Sequence, residues 1–168
     1  IYSGFEIGKE KGIDPIFGCE FYLVTDKDFE NPHRGEKRYH LTALAKNNIG
    51  LRNLFKLSTK GSLEGFYYKP RIKLDWAKEH SEGVIFLSGC MAGPIADVLF
   101  NNGYEPAKKQ ARRFKEYFED FYIEIQPTKI PKQVRINPGL VKIGNELGIP
   151  IVATADAHYL KEQVNVHP

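Results

Sequence analysis

Residues 83–90 read Gly83-Val84-Ile85-Phe86-Leu87-Ser88-Gly89-Cys90, a short apolar run bounded by glycines. Consecutive apolar positions of this length mark a strand covered on both faces. A helix is expected downstream over 93–100 and another over 105–118, where Ala107, Ala111, Phe114 and Phe118 recur at core spacing. A strand over 121–126, a helix over 134–147 closed by Gly148, and a last strand over 150–156 complete that half. Upstream, a short helix fits 74–79, and 61–73 is irregular and aromatic. Asn47 or Asn48 caps a helix with Leu51, Leu54, Phe55 and Ser58 on one face. A strand over 39–45 precedes it, and 25–37, with Asn31-Pro32 and Arg34-Gly35, reads as a loop. The amino-terminal pattern is a helix over 2–11 ended by Gly12, then a strand over 15–24 rich in aromatic and branched residues. Strands alternating with helices predict an α/β fold, a largely parallel sheet or barrel, in one continuous domain.

Composition narrows the class without naming an activity. The 168 residues suffice for one domain with its own core; 42% are hydrophobic and 27% charged. No apolar run approaches the roughly 20 residues that cross a bilayer. Two cysteines, Cys19 and Cys90, do not make a disulfide framework, and a reducing cytoplasm is the expected setting. A formal charge of +3 is too small an excess to argue for nucleic acid by itself. The chain opens on Ile1 without a methionine, and we expect it to be a piece of something longer.

Functional side chains of parallel α/β folds gather where strands meet loops. Glu20 follows Phe17-Gly18-Cys19, Cys90 directly follows 84–89, and Asp156 and His158 leave the end of the last strand together. His40 is less tidy, because it stands at the start of its strand. Imidazole, carboxylate and thiolate all bind divalent metals, and this mixed set suits zinc, manganese or iron better than calcium. A bridging carboxylate can hold two ions, and metal-activated water attacks phosphate esters in line. Each residue also has a plainer reading. Glu20 can be solvated or cap a helix, Cys90 can be a small buried hydrophobe, and His40 a hydrogen-bonded histidine. Asp156-x-His158 is the strongest local signal.

Longer blocks go further. Gly12-Ile13-Asp14-Pro15-Ile16-Phe17-Gly18-Cys19-Glu20, Tyr39-His40-Leu41-Thr42-Ala43-Leu44-Ala45-Lys46-Asn47 and Gly50-Leu51-Arg52-Asn53-Leu54 occur in order. Glu64-Gly65-Phe66-Tyr67-Tyr68-Lys69-Pro70-Arg71-Ile72, Ser88-Gly89-Cys90 and Ala153-Thr154-Ala155-Asp156-Ala157-His158-Tyr159-Leu160 follow. This series resembles the PHP (polymerase and histidinol phosphatase) domain of bacterial DNA polymerase III alpha subunits, over nearly the whole chain. The resemblance implies a distorted seven-stranded (β/α) barrel with metals at the carboxyl ends of its strands. It implies Glu20, His40, Cys90, Asp156 and His158 as metal ligands, with Cys90 where many phosphatase relatives carry histidine. The family's first ligands, a His-x-His strand and an Asp-His pair, would lie upstream of Ile1. The expected PHP domain is therefore partial over 1–160 and incomplete at its amino end, with 161–168 a tail of unclear register. Without those upstream ligands, the chain by itself is expected to bind metal weakly.

The implied parent is a replicative polymerase that uses magnesium for DNA synthesis, while the domain itself is either a metal-dependent phosphodiesterase, a 3′–5′ exonuclease, or a non-catalytic scaffold braced by metal. A free small-molecule phosphatase is opposed by Tyr67-Tyr68-Lys69-Pro70-Arg71 and Cys90. The implied partners are DNA, the polymerase core of the same parent chain and other replisome subunits, with no membrane. Lys69, Arg71 and Lys73 beside Phe66, Tyr67 and Tyr68 would bind a strand by charge and stacking; alternatively the aromatics pack beneath the loop. Lys108, Lys109, Arg112 and Arg113 oppose the apolar stripe of their helix and read as a solvated face.

Overall fold

Alternation along residues 39–45 places Leu41 and Ala43, both fully buried, on one face and His40, Thr42 and Leu44 on the other. This strand, β2 (Tyr39–Ala45), pairs antiparallel with β1 (Gly18–Leu23) on one side and with β3 (Val84–Leu87) on the other. Beyond β3 the sheet continues in parallel through β4 (Asp120–Ile125) to β5 (Ile151–Ala153), in the order β1-β2-β3-β4-β5. The computed structural model describes residues 2–157, and these form a mixed α/β fold with five strands and seven helices.

The expectation of a largely parallel sheet is therefore corrected at β2. β1 and β2 are joined without a crossover helix, so they close as a wide hairpin; parallel neighbours need a crossover. Between β3 and β4 the crossover is α5 (Pro94–Asn102) and α6 (Tyr104–Tyr117), and between β4 and β5 it is α7 (Pro131–Leu147). The seven-stranded barrel expected from the family resemblance is not seen among the described residues, which form an open five-stranded sheet.

Helices pack on the Leu41/Ala43 face. The stripe read from α6 is buried as expected at Ala107, Ala111 and Phe114, with Phe118 capping the helix. Phe118 stacks on Phe86 at a 4.1 Å centroid separation, and Phe114 meets Phe121 at 5.5 Å, which locks α6 to β3 and β4. Helix α3 (Asn48–Leu63) starts at Asn47, whose side chain accepts from the amides of Ile49 and Gly50. Its buried face is Gly50, Asn53, Leu54, Leu57 and Gly61, so Phe55 and Ser58 fall outside it. Hydrophobicity alone overlooks glycine as a packing surface: a Cβ on Gly50 would lie 1.8 Å from the carbonyl oxygen of Gly83.

Two further elements surround β1. Helix α1 (Tyr2–Lys11) leaves Tyr2, Phe5 and Ile7 exposed. The expected loop over 25–37 contains a short helix, α2 (Asp26–Glu30), where Thr25 accepts from the Asp28 amide and donates to its carboxylate. The aromatic stretch returns to the sheet at Ile72, whose amide and carbonyl bond Tyr22 and Val24, ahead of α4 (Leu74–Glu79).

Arg71, only 3% exposed, anchors that return. Its Nη1 donates to Glu36 Oε2 at 2.7 Å and to the Asp28 carbonyl at 3.2 Å, and its Nε donates to the Gly65 carbonyl at 2.9 Å. Arg38 holds the other Glu36 oxygen at 2.9 Å and donates to the Tyr67 carbonyl at 3.1 Å. Removing one member of a buried pair leaves the other charge uncompensated. Arg71→Met should therefore lower stability in urea denaturation by about 3 kcal/mol, the low end of the range because Arg38 still reaches Glu36. A loss below about 1 kcal/mol would mean that the anchor is dispensable.

Candidate metal centre

The direction of β2 decides the site. Because β2 runs against β1 and β3, its first residues lie level with the last residues of its neighbours: Tyr22 pairs with His40 and Glu20 with Thr42. His40, untidy at the start of a strand, thus stands at the rim where β3, β4 and β5 end. Alternation puts Glu20 and Tyr22 on the same face as His40 and Thr42, away from the helices. The Tyr22 and His40 rings meet edge to face at 5.4 Å.

Cys90 is brought to this rim by a turn that two glycines make possible. Gly89 has φ +77°, and a Cβ there would lie 2.2 Å from the His40 carbonyl oxygen. A Cβ on Gly93 would lie 2.1 Å from the carbonyl of Ser88. The turn closes with Gly93 N–H donating to the Cys90 carbonyl at 2.8 Å, and with the His40 amide donating to Ala92 at 3.2 Å. Pro94 then occupies the first turn of α5, where its missing N–H is no loss.

His40 Nδ1 lies 3.2 Å from Glu20 Oε1 and 3.6 Å from Cys90 Sγ. Metal bonds of 2.0–2.3 Å at tetrahedral angles separate neighbouring donors by roughly 3.3 Å for O and N and roughly 3.6 Å for N and S. The two observed separations match two edges of such a shell. They do not close it: among the described residues no group of three or more His, Cys, Asp or Glu has the placement to hold a metal ion. The Glu20 side chain is half exposed and that of His40 is 30% exposed, so the donors face open space.

Charge at the rim favours a cation. Burial pushes the Cys90 thiol above its ordinary range, the Ala92 amide opposes this, and the carboxylates of Glu20, Asp156 and Glu124 push it further up. Asp156 sits in the left-handed region at φ +50°, which aspartate tolerates better than most residues. His158 lies outside the described residues. Of the three basic residues read as nucleic-acid contacts, Lys69 is exposed, Lys73 is half-buried over the Phe29 and Trp76 rings, and the Arg71 guanidinium is spent inside the fold. Tyr68, at φ +57° and 69% exposed, projects beside Lys69.

Glu124 was not singled out from sequence. It lies in β4, 5% exposed, on the face opposite Phe121 and Ile123. A carboxylate inside the apolar run Phe121-Tyr122-Ile123-Glu124-Ile125 is the signal that marks it.

The sequence also places the chain among known proteins. Residues 4–128 match the PHP domain, a span that contains Glu20, His40, Cys90 and Glu124. The chain belongs to the PHP domain family. It is 41% identical over 162 residues to the DNA polymerase III subunit alpha of Borreliella burgdorferi, covering 95% of this chain and 14% of that protein. Identity is 35% over 170 residues to the Aquifex aeolicus subunit (96% and 15%) and 41% over 162 residues to that of Helicobacter pylori (90% and 13%). The chain thus spans about one seventh of the length of these relatives. No described helix is long and apolar enough to cross a membrane.

A raised thiol pKa has a chemical consequence. The thiolate is the reactive form, so Cys90 in metal-free protein should react slowly with iodoacetamide at pH 7.5 and accelerate about tenfold per pH unit up to pH 9. In a Cys19→Ser background, zinc should suppress the reaction; a rate already level below pH 8 would contradict the burial effect.

Proposed function

We propose that this chain is the part of a replicative DNA polymerase III alpha subunit whose PHP domain carries a metal-dependent phosphodiesterase site, acting as a 3′–5′ exonuclease on DNA ends. The observation that carries the reading is the His40 ring set between Glu20 and Cys90 at coordination-shell separations, on the rim to which Asp156 also contributes charge. Glu20, His40, Cys90, Asp156 and His158 are the proposed ligands, and zinc, manganese or iron the ion. Bound there, such an ion supplies Lewis acidity toward a phosphate ester and lowers the pKa of water. The chain's own residues supply the frame. Tyr22 packs on the edge of His40 and limits its rotation, and the Gly89 turn fixes Cys90 beside it. The open sheet, with its donors exposed on one face, is the reason to propose closure into the seven-stranded barrel within the parent.

For the parent we propose DNA synthesis with magnesium in a separate polymerase core, in the cytoplasm, with DNA and other replisome subunits as partners. Lys69 is the exposed cation proposed to meet a strand, next to Tyr68. Arg71 contributes by holding that loop in place.

A scaffold reading predicts different data. The intact subunit, loaded with manganese or zinc, should release nucleotides from single-stranded 3′ ends, and Asp156→Asn or Glu20→Gln should abolish release while DNA synthesis persists. Absence of release from metal-loaded protein, with the same substitutions lowering Tm or polymerase activity, would establish the metal-braced scaffold instead. Efficient hydrolysis of histidinol phosphate would point to the phosphatase branch.

A further inference from the structure

Beneath the rim, the carboxylate of one residue reaches two of the segments that carry the proposed ligands, and its backbone amide reaches a third. Glu124 Oε1 accepts from Thr154 Oγ1 at 2.6 Å and from Gln126 Nε2 at 3.4 Å, and its Oε2 accepts from Thr42 Oγ1 at 3.3 Å. Its backbone amide donates to Ser88 Oγ at 2.9 Å. Three of these partners stand two residues from a proposed ligand. Thr42 lies two residues after His40, Ser88 two before Cys90, and Thr154 two before Asp156.

In a strand, residues two apart share a face, so a clamp on Thr42 acts directly on the placement of His40. Ser88 and Thr154 are the last fixed points before the chain leaves β3 and β5 for Cys90 and Asp156. The Ser88 amide still bonds the Tyr122 carbonyl, and the Thr154 amide still bonds that of Ile125. The network continues away from the rim. Asn137 of α7 donates to the Gln126 carbonyl at 2.9 Å, and Gln133 donates to Asn137 at 2.6 Å.

Burying a carboxylate is costly unless hydrogen bonds satisfy it, and a fold that needed only packing here would do as well with an apolar residue. Hydroxyl and amide donors satisfy the buried Glu124 carboxyl, and the same group is one of those that push the Cys90 thiol up. We infer that Glu124 is a positioning residue: its carboxyl, through Thr42 and Thr154, sets the placement of His40 and Asp156, while its backbone amide holds Ser88 ahead of Cys90. This rests on the metal-binding reading above. Outer carboxylates that orient ligands typically change metal affinity by 10–100-fold when replaced.

The test uses the intact parent subunit, stripped of metal and titrated with zinc in competition with a chromophoric chelator. Glu124→Gln keeps shape and one acceptor, and should weaken zinc binding by at least tenfold. Thr154→Val, which removes only the shortest hydrogen bond, should weaken it in the same direction and serves if Glu124→Gln does not fold. The gap between loaded and metal-free Tm should narrow in both variants. The thiolate-to-cobalt absorption of cobalt-loaded protein should shift in both, which a purely structural clasp would not cause. If Asp156→Asn weakens zinc binding while Glu124→Gln and Thr154→Val leave affinity and the cobalt spectrum unchanged, the positioning role is overturned and the metal site stands. If unsubstituted protein binds no zinc, the metal reading fails, and this inference with it.

Discussion

The antiparallel seating of β2 between β1 and β3 is the constraint on which the site depends. Tyr22 opposite His40 and Thr42 opposite Leu87 fix where the first residues of β2 lie relative to the ends of its neighbours. With β2 reversed, His40 would stand at the far rim, roughly 20 Å away for a strand of this length. The helical crossovers on one side of the sheet and the wide hairpin on the other allow this mixture of directions. The same register puts Leu41 and Ala43 into the helix-covered core, so a slip of one residue would bury His40 and expose the core face at once.

Around that frame, polar groups are used where side chains would otherwise be costly to bury. Arg71 and Glu36 are both withdrawn from water, and Arg71 also donates to the backbone carbonyls of Gly65 and Asp28, which fastens the aromatic loop to the region of α2. Glu124 plays a comparable part under the rim with neutral donors. The rim is locally acidic, with Glu20, Asp156 and Glu124 all acting on Cys90, although the whole chain carries +3. Net charge therefore gives no hint of the cation site; local placement does.

Much of the architecture was legible. The stripe of α6, the buried run of β3 and the left-handed Gly148 closing α7 are each set by residues within one or two turns of one another. Helix α2 was missed because five residues are too few to show a period, although Thr25 and Asp28 form its capping pair. The face of α3 was rotated because Gly50 and Gly61 pack through their backbones and carry no hydrophobic signal.

By itself, the sequence determined the strands and the helices apart from α2, and it nominated Glu20, His40, Cys90, Asp156 and His158 by residue type and strand position. Tertiary structure alone decided that β2 runs backwards, that Arg71 is buried, and that Glu124 joins β2 to the segments leaving β3 and β5. Alternation along a strand has no direction, so His40 could not be assigned to a rim before its neighbours were known. Arg71 and Glu36 are 35 residues apart, and Thr42 and Glu124 are 82 apart. Contacts that long are set by how elements pack, and no local pattern records them.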